Sequence, residues 1–177
     1  FQVSFQSNDL EAARALKSLS FELLTPPIAN QVVGEVFPRE VEVSESIPFT
    51  FVVRPTMQTA GLLGFDTIEI STPIQVESID AVEILDADGQ VVAEHSFAGL
   101  DDTDNTAGFQ IVSVDEHRFA VRFPLVQEDD AQVRLRFQTE VLTYSTNFTA
   151  SVLLSTEGGA AQGVVPGDAA TLAGDDD

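Results

Sequence analysis

Residues 133–141, VRLRFQTEV, decide how this chain is read. Val133, Leu135, Phe137, Thr139 and Val141 fall on one side of an extended backbone. Arg134, Arg136, Gln138 and Glu140 fall on the other. Successive side chains of a strand point to opposite faces, so this period of two describes one apolar face and one wet face. Downstream, Phe148, Ala150, Val152 and Leu154 share a side opposite Asn147, Thr149, Ser151 and Leu153. The two stretches are expected to pair as a hairpin.

The same rhythm runs upstream. Residues 82–85 and 90–93 flank DADG at 86–89, where Gly89 accepts the positive φ of a tight turn at no steric cost. Residues 109–114 and 118–123 flank Asp115-Glu116-His117 as a second hairpin. Proline-bounded or alternating runs at residues 32–37, 41–43, 48–55 and 65–70 add further strands. Leu19, Phe21 and Leu23 alternate with Ser18, Ser20 and Glu22 until Pro26-Pro27 stops them. About ten short strands with turn signals every 8–12 residues predict an all-β fold, an immunoglobulin-like or jelly-roll antiparallel β-sandwich.

One short N-terminal helix is expected in addition. FQVSF at residues 1–5 reads as a strand, and Asn8 with Glu11 forms a capping box for a helix over about residues 9–18. After Thr156 the composition turns to Gly, Ala and Asp, which predicts a flexible tail or linker over residues 157–177. Val164-Val165 is its only apolar point, able to add to a sheet edge. The predicted organisation is therefore a strand-and-helix segment at 1–18, a sandwich at 19–156 and a tail.

Composition narrows the function. The 177 residues are 44% hydrophobic, with 13 Phe and no Trp, so phenylalanine must supply the bulky core. Twenty-nine acids against eight bases give a net charge of −21. Such a surface repels phosphates and anionic headgroups, which argues against nucleic-acid partners and membrane surfaces. No stretch approaches the ~20 apolar residues of a membrane helix. Absence of cysteine removes thiolate catalysis, Cys-based zinc sites and disulfides together. An opening Phe1 in place of Met fits a cleaved signal peptide or a boundary within a longer chain. Few lysines beside many carboxylates fit a cation-rich exterior that screens self-repulsion. The expected location is extracellular or at the cell surface.

Candidate sites are few. Two histidines, His95 and His117, are the only imidazoles a catalytic triad would have, and no nucleophile elbow accompanies them. No catalytic or cofactor-binding residue is assigned. Asp101, Asp102, Asp104 and Asn105 form an acidic loop with enough oxygens for part of a calcium shell. Its spacing departs from the EF-hand pattern, and Asp86/Asp88 are better explained by their turn. Arg134 and Arg136 project from one wet face, and would join Arg118 and Arg122 if their strands paired. That basic patch suits an acidic protein neighbour or an anionic glycan; pairing with local acids such as Glu140 is the plainer alternative. Phe1, Val3 and Phe5, with Val164 and Val165, mark two segments that suit strand addition to another copy.

The function these features predict is a non-catalytic structural or interaction module of a surface assembly, such as a filament, surface layer or adhesin. The alternative is a carbohydrate-binding sandwich, although the chain has no Trp and one Tyr with which to stack sugars.

Overall fold

The structure, a computed structural model, describes residues 27–143, 146–157 and 161–170. In chain order the strands are β1 (Gln31–Phe37), β2 (Ser46–Thr56), β3 (Phe65–Ser71), β4 (Ser78–Leu85) and β5 (Val91–Ser96). They continue as β6 (Gln110–Asp115), β7 (Arg118–Val126), β8 (Gln132–Glu140) and β9 (Thr149–Leu153). After a 3-10 turn at Ser155–Glu157 come two two-residue strands, β10 (Gln162–Gly163) and β11 (Val165–Pro166).

Two sheets result. One has the order β11-β1-β2-β8-β4-β5 and the other β10-β9-β3-β7-β6. Every neighbouring pair is antiparallel except β1 with β11. The period of two explains the layers. In β8, Val133, Leu135, Phe137 and Thr139 are buried, while Arg136 is exposed and Arg134, Gln138 and Glu140 are half-buried. Phe49, Phe51 and Val53 of β2 stand beside Phe137, Leu135 and Val133 in register. Across the interface stand Ile68 and Ile70 of β3 and Phe119, Val121 and Phe123 of β7, all buried. The layers meet ring to ring, with Phe119 and Phe137 centroids 5.1 Å apart. Each such side chain taken from water contributes about 1.5–3 kcal/mol, and this shared interior holds the two sheets together.

Two of the three expected hairpins form, β4–β5 and β6–β7. At 86–89 the Asp86 carboxylate accepts from the Asp88 and Gln90 amides at 3.0 and 2.8 Å, and Gly89 takes φ +79°. The third does not form. β8 is flanked on both edges by β2 and β4, and β9 lies in the opposite sheet. The link between them changes layers, carrying Phe148 onto Phe49 and Phe137 at 5.1 and 5.9 Å. Alternation assigned the faces of both strands correctly, but it carries no information about partners.

The expected N-terminal strand and helix lie outside the described residues. The stretch after residue 156 differs from a flexible tail where it is described. Residues 162–166 pair with both sheets, because backbone bonding and a few polar anchors supply what the small side chains lack.

Candidate functional site

The two flanks of the sandwich are built differently. On the first, residues 161–170 form a strap from one sheet to the other. Gln162 and Gly163 pair with Val152 and Ser151 of β9, then Val165 and Pro166 run parallel to Val33 and Gly34 of β1. The Gln162 side-chain amide accepts from Ala29 N at 3.0 Å and donates to Ala29 O at 3.2 Å, tying the strap to the entry of β1. Gly34 is required here, since a Cβ at that position would run into Val164 Cγ1 and the Phe51 ring.

Beyond β11 the chain is latched. Glu35 is 9% exposed, and its Oε2 accepts from the Ala169 and Ala170 amides at 3.0 and 3.3 Å. Its other oxygen pairs with Arg39. Arg54 donates to Asp168 O at 2.7 Å, and Ala169 is fully buried. A buried carboxylate needs several donors to offset its lost hydration, and this one has two amides and a guanidinium.

Past the strap the flank gapes. A groove of about 660 Å³ runs between the sheets, with apolar walls from Val36, Phe51, Phe148, Ala150 and Val164. Arg39, Asn147 and Asp168 supply polar groups. β11 covers only Val33 and Gly34 of β1, and β10 covers only Val152 and Ser151 of β9. Among the described residues, no strand pairs with the outer edge of β1 from Glu35 to Phe37.

The second flank carries the edges β5 and β6. β6 is interrupted by a bulge between Ile111 and Ser113 that turns Val112 outward. The six residues of β5, VVAEHS, contain no Pro, Gly or Lys, and among the described residues pair only with β4. Val91 and Val92 are 50% and 61% exposed. A long strand edge with unused backbone groups and exposed valines is a template for another strand. From the same strand His95 reaches inward, stacked on Phe109 at 5.5 Å and edge-on to Phe97 at 4.9 Å. Its Nε2 is buried without a hydrogen-bond partner among the described residues.

The residues singled out from the sequence are scattered. Arg134 and Arg136 lie on β8 of one sheet, whereas Arg118 and Arg122 lie on β7 of the other, so the expected four-arginine patch does not form. Their strands never pair, because β8 is already flanked by β2 and β4. Local acids take up two of the four: Arg136 meets Glu83 at 2.6 Å, and Arg118 meets Asp115 at 3.1 Å and Glu69 at 3.8 Å.

In the acidic loop, Asp102 accepts from Ala98 N at 2.9 Å and Asn105 from Gly108 N at 3.0 Å. Asp101 and Asp104 are exposed. Among the described residues no three His, Cys, Asp or Glu side chains converge as a metal cluster. His117 is exposed in its turn, with Nδ1 2.9 Å from Pro73 O. Val164 packs on the core and Val165 is 47% exposed. Phe1, Val3 and Phe5 lie outside the described residues. Sequence reasoning missed the groove and Glu35, whose two amide partners lie 134 and 135 positions away. It also missed the open edge of β5. There VVAEHS gave a local signal, three apolar residues without a charged or proline guard at its start.

No protein-family model matches the chain, and neither does any curated protein. Several solved structures are similar at low identity. The family 3a carbohydrate-binding module from the cipA scaffolding of Clostridium thermocellum matches at 13% identity, over 70% of this chain and 95% of that one, with a TM-score of 0.40. A second structure of that scaffoldin's module with flanking linkers gives 14%, 70%, 86% and 0.39. The collagen-binding subdomain of the Enterococcus faecalis surface protein ACE gives 12%, 71%, 93% and 0.36. Among the described residues no helix is long and apolar enough to cross a membrane.

Proposed function

We propose that this chain is a non-catalytic structural or interaction module of an extracellular or cell-surface assembly, an immunoglobulin-like or jelly-roll sandwich joined to its neighbours by strand addition at β5. The observation that carries this is the state of that edge: among the described residues its six positions pair on one side only, with two half-exposed or more exposed valines and no guarding Pro or Lys. The chain also supplies a suitable donor. Residues 1–5, FQVSF, alternate apolar and polar and carry no side-chain charge. Self-pairing of β5 would instead bring two copies of Glu94 close together, and like charges across strands destabilise a pair.

Donor and acceptor are different surfaces, so the contact is head-to-tail and propagates into a filament rather than closing as a dimer. A net charge of −21 per copy opposes assembly in dilute salt, and cations relieve it. Light scattering and electron microscopy across a salt series test this reading. Polymers should appear as salt rises, and removal of residues 1–5 or Val92→Lys should each leave a folded monomer. A native chain that stays monomeric at every salt concentration overturns the proposal.

A further inference from the structure

The link that carries the chain from β8 to β9 is pinned at Phe148, whose ring rests on Phe49 and Phe137 at 5.1 and 5.9 Å. With that side chain turned inward, its neighbours Asn147 and Thr149 are both exposed. Alternate side chains of an extended chain share a side at a spacing of about 7 Å, so the amide and the hydroxyl face solvent together. Thr149 opens β9 opposite Ser71 of β3, while Asn147 stands outside the strand.

Asn147-Phe148-Thr149 is the acceptor triplet of N-linked glycosylation, Asn-x-Ser/Thr with x other than Pro. A carboxamide nitrogen is a weak nucleophile, because its lone pair is shared with the carbonyl. A transferase has to hold it in place, and it recognises the acceptor by the hydroxyl two positions on. The other asparagines fail on sequence: Asn8, Asn30 and Asn105 have Leu10, Val32 and Ala107 at that position. Two of them are also committed in the structure. Asn30 donates to Thr59 Oγ1 at 2.7 Å and accepts from Thr59 N at 3.1 Å, and Asn105 accepts from Gly108 N at 3.0 Å. Among the described residues Asn147 makes no such side-chain bond.

We propose that Asn147 is an N-glycosylation site, a modification that rests on the reading of this chain as an exterior protein. The donor class is an oligosaccharide carried on a polyprenyl diphosphate. The Asn147 side-chain nitrogen bonds to C1 of the first sugar as the C1–O bond to the diphosphate breaks. The lipid diphosphate leaves with the electron pair, and a base of the transferase takes one amide proton. Transfer takes place on the emerging chain, before Thr149 pairs with Ser71. The exposed position of Asn147 then leaves room for the bulky, solvated sugar on the folded domain. Asn147 lines the strap-side groove, across the sandwich from β5, so the oligosaccharide stands clear of the edge used for strand addition.

Cleavage after Glu140 and Glu157 isolates residues 141–157, which hold the triplet and no other Asn. Mass spectrometry of this peptide, taken from fractions of the cells that make the chain, reads the site. In the exterior fraction the peptide should be heavier by whole sugar residues. The added mass should persist in Thr149→Ser and vanish in both Asn147→Gln and Thr149→Ala, whether or not those variants fold. An exterior chain whose peptide has its bare mass overturns this proposal alone, as does an added mass undiminished in Asn147→Gln. A chain confined to the cytoplasm overturns it together with the exterior reading.

Discussion

The two flanks of this sandwich meet the same problem and solve it differently. Both end two sheets, and both expose backbone groups that another strand can capture. On the strap flank the chain covers its own edges, through β10, β11 and the residues latched by Gln162, Glu35 and Arg54. On the other flank β6 is bulged, but β5 has no cover among the described residues. Covering an edge here takes few apolar atoms. It takes polar side chains with partners far along the chain, such as Glu35 with Ala169.

Substitutions break this comparison in graded ways, and the largest effect is expected between the flanks. Phe137 is fully buried in the central strand and touches the rings of Phe49, Phe119 and Phe148. Phe137→Ala should cost about 3–5 kcal/mol by urea denaturation, loosening both flanks together. On the strap, Glu35→Ala removes the acceptor of two amides and the partner of Arg39, and should cost about 1–3 kcal/mol. Hydrogen exchange should then quicken at the amides of Gln162–Val165 and Gly167 but not in β5. Gly34→Leu drives a side chain into Val164 and Phe51, at a cost of about 1–3 kcal/mol, and should also lift the strap.

On the other flank, His95→Leu puts an apolar side chain in place of a ring whose Nε2 has no hydrogen-bond partner among the described residues, and should change stability by less than about 1.5 kcal/mol. The smallest change belongs to Val92→Lys, within about 0.5 kcal/mol, because Val92 is 61% exposed. Its consequence should fall on assembly instead. A flank built for a partner is one where stability and association separate in this way.

How far the sequence carried this picture depended on distance along the chain. The faces of β8, the Asp86 turn and the β6–β7 hairpin were all readable, because each is set by neighbours a few residues apart. Partners of β8 and β9 were not, since 133–141 and 148–154 look like a hairpin unless one knows that β2 and β4 already flank β8. The arginine patch failed for the same reason. The strap was half visible: Val164-Val165 stood out as a point that adds to an edge, while Gln162 and Glu35, which anchor it, have no local signal. Of the sites, the acidic loop gave carboxylates without convergence, and the β5 edge was legible as a strand but not as an edge.

Hydrogen exchange of the β5 amides, measured on the native chain over a series of protein concentrations in high salt, tests most directly whether that edge is made for another strand. The amides of Val91–Ser96 that do not bond to β4 should exchange fast in dilute solution and become protected as the concentration rises, while those of β1 stay constant. Exchange at β5 that is independent of concentration would contradict strand addition there.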